Sequence, residues 1–259
     1  MAGSFYPRDP ETLKSLVDEL LEKNTKEEPV GVISPHAGYV YSGKVAGKVL
    51  GLLDGKELKV LLVGPSHFVD FEGISFGDYQ FFETPLGKVK VDRERIEEFL
   101  RLYRLPHALD NRPHMLEHSL EVQLPFLQRL SPNLTIVPVV YGRIDPETLA
   151  EFMEFFLEDD THFVVSSDLS HYYPEDTAKR IDEHCYRGIV EGDRESLKTC
   201  EACGKVGILA SLIIAQRRKL KPKLIAYDTS ASAFGDKNTV VGYGGYAFFP
   251  IGLYLNPWN

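Results

Sequence analysis

Histidines that close apolar runs are the groups in this chain best suited to chemistry. His36 lies in Ile33-Ser34-Pro35-His36-Ala37-Gly38-Tyr39, and His67 lies in Val63-Gly64-Pro65-Ser66-His67, thirty-one positions later. Each ends a stretch of β-branched and apolar residues, and one helix-length segment separates them. That layout predicts a βαβ unit with an imidazole at the end of each strand. Adjacent strands run about 4.8 Å apart, so both rings would reach one point above the sheet edge, where open α/β sheets bind their ligands. Imidazoles placed this way can hold a metal ion or move a proton.

Further reactive groups fall in similar places. The apolar run 162–166 is followed by Ser167-Asp168-Leu169-Ser170-His171. Three strand ends therefore carry a histidine or a Ser/Asp/His group. A single strand-end histidine is more often a hydrogen-bonding turn residue, but polar groups converging on a cleft mark a site. Cys203, in Cys200-Glu201-Ala202-Cys203-Gly204-Lys205, precedes an apolar helix whose first N–H groups and dipole favour a thiolate. It reads either as a ligand or nucleophile, or as a small buried residue. The Cys200/Cys203 spacing also permits a redox dithiol, whereas Cys185 reads as structural. Glu117 and Glu121 stand one helical turn apart with His118 beside them. They form either a solvated acidic first turn or the mouth of the site. Tyr39 and Tyr41 follow His36, and Asp228-Thr229-Ser230-Ala231-Ser232 follows a late strand. Both stretches could line a pocket or serve as turns. His107, His114, His162 and His184 have no matching context and read as surface or structural groups.

The elements that must position these groups alternate along the chain. Strands are expected at 30–34, 58–63, 73–82, 87–91, 134–140, 162–166, 223–227 and 240–249. Helices are expected at 11–22, 42–53, 93–103, 116–130, 146–157, 176–190 and 205–217, with a charged linker at 23–28. The Gly242-Tyr243-Gly244-Gly245-Tyr246 run lacks the following helix that a nucleotide fingerprint needs, so it reads as strand with close backbone contacts. Alternation of this kind predicts a three-layer α/β/α architecture with a mixed, largely parallel central sheet. With no repeat and no long linker, one domain over residues 1–259 is expected.

Composition bounds the function classes. Of 259 residues, 43% are hydrophobic, enough to bury a real core. The net charge of −9, with no basic cluster, argues against nucleic-acid binding. The N-terminus has no signal-peptide pattern, and no apolar run is long enough to span a bilayer. Three cysteines do not make a disulfide framework. A reducing, cytoplasmic location is the expectation. Abundant Lys and Glu hint at a thermophilic source.

Several stretches together resemble the Memo family. They are Ala2-Gly3-Ser4-Phe5-Tyr6, Pro35-His36-Ala37-Gly38-Tyr39, Gly64-Pro65-Ser66-His67, Glu117-His118-Ser119-Leu120-Glu121, Ser166-Ser167-Asp168, His171 and Cys203-Gly204, in order along most of the chain. The resemblance implies a fold like that of the LigB-type class III extradiol dioxygenases, which cleave catechol rings with non-haem Fe(II). Eukaryotic members are described as cell-motility effectors and as metal-binding redox proteins. Prokaryotic members often occur beside a radical-SAM protein and an AMMECR-type protein, which the resemblance makes candidate partners.

By that resemblance His36, His67 and Cys203 are metal ligands, and Asp168 and His171 are catalytic groups of the same pocket. Tyr39, Ser66, Glu117, His118 and Glu121 would line it. A thiolate in place of the dioxygenase carboxylate softens the donor set, which then suits iron(II), copper or zinc. The expected function is that of a metal-binding protein with a dioxygenase-like pocket, acting as an iron- or copper-dependent oxidoreductase on a small molecule. The alternatives are a non-catalytic protein that binds a small molecule or peptide on a relict dioxygenase fold, and a Cys200/Cys203 dithiol protein. The missing carboxylate argues against ring cleavage itself.

Overall fold

A computed structural model describes residues 1–24, 26–105, 107–158 and 160–252. Thr25, within the linker expected over 23–28, lies outside the described residues, as does the end of the expected 1–259 domain. The strands are β1 (Gly31–Ser34), β2 (Glu57–Pro65), β3 (Ile74–Ser75), β4 (Phe81–Thr84), β5 (Gly87–Val91), β6 (Asn133–Tyr141), β7 (Thr161–Ser166), β8 (His171–Tyr173), β9 (Leu220–Thr229) and β10 (Val240–Pro250). They form one mixed sheet in the order β4-β5-β6-β2-β7-β1-β10-β8, with β3 on β6 and β9 on β10. The five central strands, β5, β6, β2, β7 and β1, run parallel, and antiparallel pairs flank them. Their near-continuous Val/Ile/Leu runs are what burial on both faces requires. Ile33, Leu61, Leu62, Val63, Val164 and Val165 are all fully buried.

The helices are α1 (Pro10–Leu20), α2 (Tyr39–Leu50), α3 (Arg93–Tyr103), α4 (Arg112–Met115), α5 (Leu124–Leu130), α6 (Pro146–Phe156), α7 (Glu175–Val190), α8 (Arg194–Thr199), α9 (Lys205–Arg218) and α10 (Ala231–Phe234). Asp9 and Asp145 cap α1 and α6 through the Thr12 and Thr148 N–H groups, each with proline in the first turn. α1, α2 and α5 pack together, as do α6 and α9. Parity along β10 separates the two layers. A side chain at Gly245 would meet Val45 and Val49 of α2, while one at Gly242 would meet Asp182 of α7. The expected three-layer α/β/α arrangement is thus present, and the glycine-rich run is strand under close contact.

Four local expectations change. The 31-residue spacing of His36 and His67 does not reflect adjacent strands, because β7 lies between β1 and β2 and pairs with both. The segment 116–130 is not one helix: residues 116–120 form a loop, a short 3-10 turn covers Glu121–Gln123, and α5 starts at Leu124. Pro125 sits in the first turn of α5, where its missing N–H costs nothing. The stretch 73–82 divides into β3 and β4 around Gly77, whose φ of 67° ends the strand. His171, read as part of the group that follows the strand 162–166, opens a short strand of its own, β8, beside β10.

Candidate metal centre

The parallel strands deliver their C-terminal ends to one sheet edge. Ser34 and Ser166 are register partners there, and His36, His67 and Asp168 follow within three residues of their strands. One intervening strand separates the parent strands of the two histidines, about 9.6 Å across two strand spacings. Their rings nonetheless approach to 5.1 Å between centroids by leaning over the end of β7. His118, from the loop before α5, completes the group. It lies 4.6 Å from His67 and 5.2 Å from His36. One ligating atom from each of His36, His67 and His118 lies within 4.8 Å of the other two, so these three could hold a metal ion.

Hydrogen bonding sets the tautomers. The Ser166 hydroxyl donates to the Ser119 carbonyl at 2.6 Å, so its only proton is spent. The same oxygen stands 2.8 Å from His36 Nδ1 and accepts from Gln123 Nε2 at 3.0 Å. His36 Nδ1 must therefore be the donor, leaving a lone pair on Nε2. His67 Nδ1 faces both oxygens of Glu117, at 2.9 and 3.1 Å. An ionised carboxylate only accepts, so His67 likewise carries its proton on Nδ1 and a lone pair on Nε2. A carboxylate or hydroxyl behind an imidazole is the usual support of a metal-binding histidine. His118 is held by stacking, against Phe5 at 4.7 Å and against His67.

Glu117 explains why its segment is not helical. Its carboxylate accepts from the backbone N–H groups of His67, His118 and Ser119 as well as from the His67 ring. Burial pushes its pKa up, but these donors outweigh burial and bring it to about 2. The pattern of burial also keeps imidazoles neutral. Burial lowers His36 from its ordinary value, opposed by Asp168 and reinforced by His67. Burial followed by the charges of His36 and His67 brings His118 to about 4. Neutral imidazoles are competent metal ligands at pH 7.

Cys203 Sγ lies 3.3 Å from His36 Nε2 and accepts from the Asp168 N–H at 3.2 Å. Its loop touches β7 closely. A Cβ at Gly204 would stand 2.7 Å from Ser167 Cβ, so only glycine fits there. The expected low-pKa thiolate is not what the surroundings favour. Burial, then the Asp168 carboxylate, pushes the thiol up to about 12, outweighing the local N–H donors. A bound cation would reverse that preference. Asp168 Oδ1 accepts from the His36 backbone N–H at 2.9 Å, and Oδ2 lies 3.8 Å from His36 Nε2. His171 is half-buried and close enough to disfavour protonation of His36.

The other expected lining residues do different work. Tyr39 is buried against Tyr6 and Phe126 and donates to the Val122 carbonyl. Ser66 donates to Val69 in a turn. Glu121 accepts from Tyr6 at 2.7 Å and lies 3.4 Å from the N-terminal ammonium. A Cys200/Cys203 dithiol is excluded, because Cys200 is bonded to Cys185 and Cys203 is free. Three cysteines thus include one disulfide, tying α7 to the end of α8 across 15 positions. Sequence reasoning missed Ser166, Gln123 and Phe5 as supports of the cluster, and it placed His118 only at the rim. The available signal for His118 was its position beside Glu117.

An α/β sheet with three imidazoles gathered over the C-terminal edge of its parallel strands defines a protein with a candidate metal centre. A family profile described as Memo-like protein matches residues 1–247, and the chain belongs to this family. Curated relatives carry the name MEMO1 family protein. One from Archaeoglobus fulgidus is 36% identical over 260 residues, covering 96% of this chain and 97% of its own length. One from Aquifex aeolicus is 36% identical with the same coverage, and one from Metallosphaera sedula is 34% identical, covering 94% of this chain and 95% of its own length. No helix among the described residues is long and apolar enough to cross a membrane.

Proposed function

We propose that this protein is a metal-dependent oxidoreductase acting on a small molecule. The observation that carries the reading is the shared tautomer of His36 and His67, each anchored through Nδ1 with its Nε2 lone pair left available. Those atoms and a nitrogen of His118 are the proposed ligands, and Cys203, beside His36 Nε2, is the further donor. A nitrogen-rich set with one soft thiolate suits iron(II), copper or zinc, and iron(II) is the occupant that the family resemblance favours. When bound, such an ion supplies Lewis acidity and, as iron or copper, one-electron chemistry.

The chain's own groups then divide the remaining work. Ser166 and Glu117 hold the two imidazoles in their ligating tautomers. Asp168 fixes the His36 backbone through Oδ1 and presents Oδ2 to the site, where it can hold a proton. His171, near enough to His36 to disfavour its protonation, is the group we assign to deliver or accept one. Phe5 and Phe68 wall the His118 side with apolar surface. The three clustered ligand candidates are all imidazoles, with Cys203 and not a carboxylate as the proposed further donor, which favours chemistry other than catechol cleavage.

The test is metal analysis and turnover on anaerobically loaded protein. About one ion per chain is expected, with consumption of dioxygen or peroxide that His67→Ala abolishes. Stoichiometric metal without any turnover would replace the oxidoreductase reading by that of a metal-dependent binding protein. Absence of metal uptake would remove both.

A further inference from the structure

A second cavity lies on the β8–β10 side of the molecule, lined by none of the three clustered imidazoles but with Tyr243 close enough to Asp168 to feel its charge. It has a volume of about 470 Å³ and is lined by Tyr41, Tyr172, Phe234, Tyr243, Ser230 and Asp236 among others. Tyr41 and Phe234 meet nearly at right angles, at 71° with centroids 5.6 Å apart, so they form two walls of a corner. Tyr243 is buried beneath, and burial, then the Asp168 carboxylate, with smaller effects from Tyr41, Asp228 and Tyr172, push the pKa of its hydroxyl up. Three of these rings are exposed despite their apolar surface. Tyr172 is 74% exposed, Phe234 is 72% exposed and Tyr41 is 40% exposed.

Backbone strain singles out Tyr172. Its φ is 68°, in the left-handed region that a bulky residue rarely occupies. A strained residue holding an exposed ring gains nothing for folding, and such strain clusters at ligand sites. The charge of the cavity is one-sided. Asp236 lines it, and Asp228 is close enough to act on Tyr243. Their carboxylates accept only from neighbouring N–H and hydroxyl groups in their own turns. Among the described residues no Lys or Arg lines the cavity, and the adjacent Lys237 lies 3.9 Å from Glu175. An anion would meet repulsion here, and the net charge of −9 points the same way.

We propose that this cavity binds an organic ammonium cation, with its charged head among the rings of Tyr41, Tyr172, Phe234 and Tyr243 and Asp236 as counter-charge. Aromatic faces attract such cations through the ring quadrupole, and weakly hydrated quaternary ammonium groups gain most. The cavity exceeds one trimethylammonium group, so the ligand carries a further apolar or polar body. The proposal does not rest on the metal centre, and its test uses metal-free protein so that the two fail separately.

Choline and its neutral carbon isostere, 3,3-dimethylbutan-1-ol, are the probes, titrated by calorimetry and by shifts of tyrosine and phenylalanine NMR signals. Choline is expected to bind at least about tenfold more tightly than the isostere. Phe234→Ala and Tyr41→Ala should each weaken choline about fivefold or more, with Phe234→Trp restoring it. Asp236→Asn should weaken choline and leave the isostere unchanged. Variants are compared only where their unfolding midpoints match the wild type, and these rings are exposed enough for that to hold. Equal binding of the two probes would make this an apolar slot and overturn the proposal. Failure of the wild type to bind choline at millimolar concentration would do the same.

Discussion

Two sets of anchored histidines in this protein differ in what their second ring nitrogen does. His114 is nearly buried among Tyr79 and Phe82 and directs Nε2 to the Ser75 carbonyl at 2.8 Å. His162 directs Nδ1 to the Pro29 carbonyl at 2.8 Å and lies with Nε2 3.0 Å from Glu28. These rings bind loops to the framework. His36 and His67 are anchored with equal care through Nδ1, but each also offers a ligating atom within 4.8 Å of one on the other and on His118. Burial alone does not separate a structural histidine from a ligand. The direction of the unanchored nitrogen does.

The largest effect expected from that contrast concerns metal. His67→Ala should remove essentially all of the ion retained through gel filtration, while His162→Ala should retain it in full. Equal stoichiometry in the two variants would erase the distinction. Next in size, Cys200→Ser should cost about 3 kcal/mol in denaturant unfolding under non-oxidising handling, from a 15-position loop. It belongs with the framework set if metal stoichiometry is unchanged, and a loss of metal would instead tie the disulfide to the Cys203 loop.

Glu117→Gln sharpens the comparison further. Loss of the carboxylate behind His67 should weaken metal binding about 10- to 100-fold in a chelator competition. An unchanged affinity would mean that the tautomer of His67 is held by something else. The smallest effect is a pH dependence in metal-free protein. Burial brings His114 from 6.5 to about 4. A depressed folded value means that its stabilisation is present above 6.5 and is lost as pH falls through the interval towards 4. His114→Phe should lose stability at neutral pH but show a shallower decline over that interval. Parallel pH profiles for the two proteins would contradict the assignment.

Much of this arrangement was readable from local pattern. The buried runs ending at Ser34, Val63 and Ser166 announce parallel strands because both of their faces are covered, so apolar residues need not alternate. Asp168 and Cys203 could be placed near the strand-end histidines from their positions at element boundaries. His118 was harder. The apolar spacing of residues 116–130 is genuinely helical, and the loop exists because Glu117 collects three backbone N–H groups, one of them from His67 fifty positions away. No local pattern contains that competitor. The disulfide was equally hidden, since the shorter Cys200/Cys203 spacing is the more obvious pairing in one dimension.

Local chemistry along the chain was enough for the layered α/β architecture, the strand ends and the candidate groups upon them, because propensity and hydrophobic period act over a few residues. The folded chain was needed for the rest. It inserted β7 between β1 and β2, brought His118 in as the third imidazole, paired Cys185 with Cys200 and pushed the Cys203 thiol upward in pKa. Each of these depends on which distant groups share one buried volume. Strand order, hydrogen-bond competition and desolvation are properties of that volume and not of any segment within it.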